Sequence, residues 1–171
     1  MRTVIKILAT GFGVGFAPIL GGTLGTLVAI PFFLALSSLS APVYLVFLLF
    51  FTGFSVWVAD QALPLFVNAK KAGDPSQIVI DEVAGFFWSA GILQYAGFWN
   101  PKEGMWSFLL LSFLFFRLFD VVKKGPVGWA ERKWHGGLGI VMDDVVAGIM
   151  AGITSILFCI AYPFVVYIFT K

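Results

Sequence analysis

Long runs of hydrophobic residues alternate with short polar segments along this chain of 171 residues. Between Ile7 and Ala59 the sequence has no Asp, Glu, Lys or Arg, and such a run is too long for a helix buried in a soluble core. The pattern marks five apolar stretches, at 24–39, 42–60, 78–97, 105–121 and 143–168. It predicts an all-α fold, a polytopic transmembrane helix bundle of about five spans.

Clusters of glycine, proline and serine lie between these stretches and predict the connections. They fall at 37–42, 73–75, 100–101, 125–126 and 135–137. Pro31 and Pro163 lie inside the first and last stretches, where a membrane helix tolerates a proline kink. The glycine-rich segment before the first stretch is a candidate re-entrant element. One membrane-embedded domain over residues 1–171 accommodates the whole pattern.

The composition also indicates a membrane protein. Hydrophobic residues make up 60% of the chain and charged residues only 12%, whereas soluble domains are near half apolar and about a quarter charged. The single cysteine, Cys159, excludes a disulfide framework and a cysteine-based metal site. Arg2 and Lys6 precede an apolar stretch, but glycine and proline interrupt it and no cleavage motif leads into a polar chain. We therefore interpret the N-terminus as retained.

Basic residues are distributed unevenly between the two sides of the predicted topology. With five spans, the N-terminus and the loops at 61–77 and 122–142 share one side, and Lys102 and Lys171 lie on the other. The basic residues of the first side are Arg2, Lys6, Lys70, Lys71, Lys123, Lys124, Arg132 and Lys133. The positive-inside rule places this side in the cytoplasm.

Acidic residues gather on the same side, and only Glu103 lies opposite. The others fall at or near the cytoplasmic ends of the predicted helices: Asp60, Asp74, Asp81, Glu82, Asp120, Glu131, Asp143 and Asp144. Acids contribute little to membrane orientation. Their placement therefore needs a reason other than topology.

Two similar segments, 78–85 and 140–148, carry adjacent acids at the start of an apolar helix. The acids are Asp81-Glu82 and Asp143-Asp144, and a glycine follows each pair about one turn later. Glycine allows helices to approach closely, so the two acidic ends could face each other. Four carboxylates so placed repel one another unless a cation lies among them, and oxygen-only ligands suit Mg²⁺. The alternative, acids that merely complement helix dipoles, explains one acid better than two pairs.

A third group of charges ends the fourth stretch. Arg117, Asp120 and Lys123 step by three and share one helical face. An ion-pair ladder, with Lys123 reaching to the interface, explains them structurally. A phosphate-facing Arg117 beside a metal-facing Asp120 explains them functionally. The sequence favours neither interpretation.

Two further features fall on this side of the predicted bundle. The glycine-rich segment 11–26 ends where a helix begins, so Thr23, Thr26 and the amides near Gly25 could bind an anion. Tight helix packing explains its glycines equally well, and it lacks the lysine of a nucleotide-binding loop. His135, the only histidine, is either a solvated loop residue or a general acid or phosphate contact.

Four blocks of the chain together resemble the phosphatidylglycerophosphatase A family, membrane enzymes that remove the terminal phosphate of phosphatidylglycerophosphate. The blocks are GFGVGFAPILGGTLGT (11–26), IVIDEVAGFFW (78–88), FRLFDVVKKGPVGW (116–129) and HGGLGIVMDDVVAG (135–148), in the family's order. One departure is the run 123–126, which reads Lys-Lys-Gly-Pro where the family has Lys-Pro-x-Pro. The resemblance implies Mg²⁺ dependence, a multi-pass location in the bacterial inner membrane and a role in phosphatidylglycerol synthesis.

The motif inventory narrows the chemistry that such an enzyme could use. The chain has no Cys-x₅-Arg, Asp-x-Asp or Ser-Gly-His motif, which argues against covalent phospho-enzyme routes. Metal-assisted hydrolysis remains, in which Mg²⁺ neutralises the phosphate and orients a water.

The expected site residues fall into three groups. The metal ligands are Asp81, Glu82, Asp143 and Asp144. The phosphate ligands are Thr23, Gly25, Thr26, Arg117 and Lys123. The catalytic residues are Asp81, Asp120, Asp143 and His135. Among these, Asp120 would complete the metal site or act as the base, and His135 would protonate the leaving alkoxide.

Other membrane functions compete with the enzymatic one. A small cation transporter or channel would also place carboxylate pairs in apolar helices, but it should show polar residues across the midplane. A phosphatidyl transferase would need a longer Asp-rich pattern, and a purely structural subunit leaves the acids unexplained. The predicted partner is a phospholipid substrate in the membrane rather than a nucleic acid, and the sequence implies no protein partner.

Overall fold

The computed structural model describes residues 1–18, 20–66, 75–98 and 104–169, with side chains described up to Pro163. Every regular element within these ranges is helical, which confirms the all-α prediction. The α-helices are α1 (Arg2–Ala9), α2 (Gly21–Leu36), α3 (Ala41–Ala62), α4 (Ile80–Leu93), α5 (Met105–Val122), α6 (Pro126–Lys133) and α7 (Gly136–Phe169). Several charged residues placed above in loops or at the C-terminus lie outside the described residues: Lys70, Lys71, Asp74, Lys102, Glu103 and Lys171.

Within the part of the chain that the structure describes, three helical segments are long and apolar enough to cross a membrane: Ala41–Phe66, Met105–Val122 and Gly136–Pro163. The first and third predicted stretches form α2 and α4, which have 16 and 14 residues. At a rise of about 1.5 Å per residue they extend about 24 and 21 Å, less than the roughly 30 Å of a bilayer core. The helical bundle is confirmed, and a count of about five spans stays a prediction.

Helix α4 lies at the centre of the bundle. All of its side chains are buried except those of Glu82, Trp88 and Ile92, which are half-buried. It packs against α2, α3, α5 and, most extensively, α7. Contact on every side is expected of a helix that is apolar all round.

Glycines set the close approach of α4 and α7, as the sequence predicted. A Cβ built on Gly148 would overlap the carbonyl oxygen of Gly85 and lie 3.0 Å from the Cβ of Trp88. One helical turn further, a Cβ on Gly152 would lie 2.7 Å from the Cβ of Ile92. A larger side chain at either glycine would push the helices apart, and the acids that precede them would separate.

Two hydrogen bonds tie other segments to the acid-bearing helices. The Val79 amide, just before α4, donates to the Ala9 carbonyl at 2.8 Å and joins the end of α1 to the start of α4. The Gly137 amide donates to Asp60 Oδ1 at 3.1 Å, so an acid of α3 satisfies an otherwise unpaired amide in the first turn of α7.

Helix α7 begins at Gly136 rather than near residue 143, where the sequence placed its start. The predicted boundary followed the acid pair, because charges usually end an apolar span. In the structure the helix continues two turns toward its N-terminus beyond that pair. Asp143 and Asp144 therefore lie inside α7 and are buried.

Candidate metal and phosphate site

A cavity of about 460 Å³ lies at the end of the bundle where α4 begins and α5 ends. Five carboxylates and two basic side chains line it: Asp81, Glu82, Asp120, Asp143, Asp144, Arg117 and Lys123. The structure therefore brings to one cavity two acid pairs and a basic element that the sequence presented as three separate motifs.

Three of the acids form a compact group within this cavity. One carboxylate oxygen from each of Asp81, Glu82 and Asp144 lies within 4.8 Å of the others. The first two come from the first turn of α4 and the third from inside α7. Glu82 Oε2 is buried and has no hydrogen-bond partner among the described residues. These oxygens are placed as ligands of a single cation would be.

The fourth acid of the two pairs, Asp143, makes a different contact. Its Oδ2 forms an ion pair with Lys123 Nζ, and its Oδ1 accepts a hydrogen bond from the Asp144 amide at 3.1 Å. Burial by itself lowers the pKa of Lys123, but the neighbouring carboxylates, Asp143 first among them, raise it above its usual value. The lysine therefore stays charged. The assignment of Asp143 as a metal ligand stays a prediction.

Arg117 and Asp120 form the ion pair that one of the two sequence interpretations required. Arg117 Nη1 lies 2.6 Å from Asp120 Oδ2, one turn apart on α5. Lys123 does not continue this ladder to Asp120, because it adopts a left-handed conformation with φ of 45° at the end of α5 and pairs with Asp143 instead. Arg117 and Lys123 both line the cavity. A phosphate-binding role for them stays a prediction.

The start of α2 forms another wall, through residues that the sequence analysis did not select. Gly21 and Gly22 line the cavity. A Cβ built on Gly22 would overlap Glu82 Oε1 and lie 3.2 Å from both Nη atoms of Arg117. The sequence contained a signal for them, because these glycines lie in the Gly-rich segment 11–26 and begin α2, and the start of a helix favours an anion.

The three predicted phosphate ligands on α2 lie just beyond this wall. Thr23 is half-buried, whereas Gly25 and Thr26 are buried. A Cβ on Gly25 would lie 2.7 Å from the Cβ of Val79, and Thr26 Oγ1 donates to the Gly22 carbonyl at 2.9 Å. These contacts belong to helix packing, the second explanation that the sequence allowed, and a phosphate role for these residues stays a prediction.

His135 is exposed and immediately precedes α7. It is not among the described residues that line the acid cavity. Asp143 lies eight residues further along the chain, a separation of about 12 Å along a helix axis. The predicted role of His135 as a general acid is not supported by this position and stays a prediction.

The charge of the cavity can be used to test whether these residues fit a cation. Among the described residues that line it, five carboxylates against two basic side chains leave a formal excess of three negative charges when all are ionised. Charges of one sign buried together are costly unless they are compensated. The donors of the compact group are all carboxylate oxygens, the ligands that Mg²⁺ prefers. The residues present therefore fit a hard divalent cation.

A family model described as phosphatidylglycerophosphatase A matches residues 7–159. This chain belongs to the phosphatidylglycerophosphatase A family. The resemblance inferred from the four sequence blocks is thus confirmed, and with it the prediction that the chain is an enzyme of the phosphatase class. Family membership also favours the enzyme over the transporter among the alternatives.

Similar relatives carry two different names. Phosphatidylglycerophosphatase A of Escherichia coli (strain K12) is 34% identical over 147 residues, which cover 85% of this chain and 77% of the relative. The protein of the same name from Haemophilus influenzae is 32% identical over 161 residues, 92% of this chain and 89% of the relative. A putative phosphatidylinositol-3-phosphatase of Bacteroides thetaiotaomicron is 32% identical over 155 residues, 84% and 86% of the two chains. No solved structure matches this chain.

Proposed function

We propose that this chain hydrolyses the terminal phosphate of phosphatidylglycerophosphate to give phosphatidylglycerol and inorganic phosphate, in a Mg²⁺-dependent reaction. The observation that carries the proposal is the cavity in which the oxygens of Asp81, Glu82 and Asp144 converge and which Arg117 also lines. The names of two similar relatives support the choice of substrate.

The carboxylates of this cavity would hold the cation. Asp81, Glu82 and Asp144 are the expected ligands, and Asp143 either joins them or positions Lys123. These residues would hold a Mg²⁺ ion, which would neutralise charge on the phosphate and make a nearby water easier to deprotonate. The unpartnered oxygen of Glu82 supports this assignment, since a buried carboxylate oxygen without a partner is costly.

The basic side chains would hold the phosphate. Arg117 offers a planar fork of donors that suits phosphate oxygens, and its ion pair with Asp120 fixes the orientation of that fork. We assign the proton of the attacking water to Asp120. As the water oxygen bonds to phosphorus, the bond from phosphorus to the glycerol oxygen breaks. The released alkoxide takes a proton from water, since His135, the donor that the sequence suggests, is exposed and apart from the residues that line the cavity.

The distribution of charge supports a cytoplasmic location for the cavity. Arg2 and Lys6 belong to α1, whose end is joined to the start of α4 by the hydrogen bond from Val79 to Ala9. The basic residues Arg132 and Lys133 belong to α6, which follows the cavity end of α5. By the positive-inside rule, we place this end of the bundle at the cytoplasmic face of the inner membrane.

The relative named as a putative phosphatidylinositol-3-phosphatase makes a second substrate reasonable. Both lipids carry a phosphomonoester on a headgroup alcohol, so the same cation and arginine would serve either. The difference would lie in the headgroup, which Arg117 and the start of α2 would contact, since both line the cavity.

The test is phosphate release by the purified protein in detergent. We expect release from phosphatidylglycerophosphate with Mg²⁺, none after treatment with EDTA, and recovery when Mg²⁺ is restored. Phosphatidylinositol 3-phosphate is assayed in parallel, and a higher kcat/KM on that lipid would move the proposal to the second substrate. Absence of release from both lipids with Mg²⁺ would overturn it.

A further inference from the structure

A continuous apolar path leads from the acid cavity along α2. Ala17 lines both the acid cavity and an open groove beside it, and Val28 lines both that groove and an apolar cavity of about 330 Å³. The α2 residues along this path are Leu24, Leu27, Val28, Phe32, Ala35 and Leu36. They recur at intervals of three and four residues and therefore form one stripe on the helix.

Aromatic and aliphatic side chains line the apolar cavity, which is open on one side, since Phe12, Phe32 and Ala35 are exposed. Helix α3 contributes Phe47, Phe51 and Phe54 to its walls, and α4 contributes Val83 and Phe87. None of the described residues that line it is charged. Apolar walls of this kind gain van der Waals contacts when an apolar group fills the space between them.

Phe12 is held over this cavity by an unusual backbone. Its φ is 60°, between Gly11 at 53° and Gly13 at 94°. A phenylalanine in the left-handed region is strained, and such strain concentrates at binding sites. The ring of Phe12 stacks on that of Phe32 with centroids 6.4 Å apart and planes at 14°, and both residues line the cavity.

The length of the path matches one layer of lipid chains. The stripe from Leu24 to Leu36 covers about 18 Å at a rise of about 1.5 Å per residue. The hydrocarbon of one leaflet is about 15 Å thick, half of the roughly 30 Å core. The path also begins at the proposed phosphate site, which is where the polar end of a phospholipid would lie.

We propose that this path binds one acyl chain of the lipid whose phosphate occupies the acid cavity. The stacked pair of Phe12 and Phe32 would form the wall where the chain passes from the open groove into the apolar cavity. The inference rests on the proposed function, because it takes a lipid phosphate as the substrate. It gives the segment Gly11–Gly13 a role in binding the chain rather than the anion.

The test is a substitution that fills the path, assayed on substrates with long and short chains. Ala35→Trp places an indole in the apolar cavity, and Ala161→Trp places the same side chain on an exposed position of α7. We expect Ala35→Trp to raise KM for dioleoyl phosphatidylglycerophosphate about 10-fold. KM for the dihexanoyl lipid should not change, and Ala161→Trp should change neither value.

Unchanged kinetics of Ala35→Trp on both lipids, or an equal loss on both, would overturn the proposal. A second readout does not need turnover. With Mg²⁺ present and light given directly after mixing, phosphatidic acid with a diazirine at the end of one acyl chain should label residues 28–36 of the wild type and of Ala161→Trp, but not of Ala35→Trp. Labelling confined to other segments would also overturn the acyl-chain site. If the wild type released no phosphate but was labelled as expected, only the proposed function would fail.

Discussion

The two acid pairs occupy similar sequence segments but different positions in their helices. Asp81 and Glu82 lie in the first turn of α4, and both belong to the compact carboxylate group. Asp143 and Asp144 lie two turns inside α7. Only Asp144 joins the group, while Asp143 pairs with Lys123 at the end of α5.

The difference shows that neighbouring acids on a helix take their roles from the helices that flank them. Adjacent side chains point about 100° apart, so the two members of a pair meet different surroundings. The flank of the first pair meets the start of α2, where Gly22 leaves room beside Glu82. The flank of the second pair meets the end of α5, where the left-handed turn at Lys123 presents an ammonium.

The largest effect is expected from Asp144→Asn. This change removes one of the three converging carboxylates and should lower kcat more than about 100-fold, since even residues that only support a metal ligand cost 10–100-fold. Phosphate release at a series of Mg²⁺ concentrations measures it, and the apparent Mg²⁺ affinity should fall as well. Glu131→Gln, on an exposed position of α6, is the control and should keep its activity. Near-normal activity of Asp144→Asn and Asp81→Asn would contradict the metal assignment.

A smaller loss is expected from Asp143→Asn, about 10–100-fold, if this residue acts by positioning Lys123. In that case Lys123→Met should lose activity too. The loss of transition-state stabilisation in the double variant should then be smaller than the sum of the losses in the two single variants. The coupling energy between contacting residues is about 0.5–3 kcal/mol. If Asp143 is itself a metal ligand, its loss should equal that of Asp144→Asn and should add to that of Lys123→Met. A double-mutant cycle on kcat/KM separates the two cases.

The distance between the two acid pairs, one on α4 and one on α7, can be altered by a substitution at Gly85. A Cβ there would lie 2.7 Å from the Asp144 carbonyl oxygen and from Phe116 Cζ. We expect Gly85→Ala to destabilise the protein by about 1–3 kcal/mol, as overpacked cores do, and to lower activity because Asp144 moves. Thermal unfolding in detergent measures the first effect. Gly53→Ala is the matched control, since nothing lies within 4 Å of its Cβ, and equal destabilisation of both variants would contradict a specific role for the α4–α7 contact.

The smallest effect is expected from His135→Ala. A general acid contributes about 100-fold or more to the rate, whereas His135 is exposed and apart from the residues that line the cavity. We therefore expect less than about a 10-fold loss of kcat. The opposite outcome would be a 100-fold loss of kcat that is smaller on a substrate with a better leaving group. It would support the role of general acid that the sequence suggested for His135.

Much of the site could be selected from the sequence because charges are rare in it. Each acid in an apolar helix stands out against its neighbours, so the carboxylates and bases of the cavity were all chosen beforehand. Gly21 and Gly22 were missed as cavity residues because glycine offers no side-chain chemistry to select. The predicted phosphate ligands Thr23, Gly25 and Thr26 are not among the described residues that line the cavity, and Thr26 bonds within its own helix, so their role stays a prediction.

The sequence by itself determined the family and the helical, strongly apolar character of the chain, because hydropathy and motifs can be read directly from the order of the residues. It also determined which charged residues to examine. Only the tertiary structure decided how the two acid pairs differ, since side-chain direction and the distance between helices depend on packing. The close approach at Gly85 and Gly148 brings Asp144 to Asp81 and Glu82, and the turn at the end of α5 gives Lys123 to Asp143. The different partners of Asp143 and Asp144 are thus a result of helix packing, which no single segment encodes.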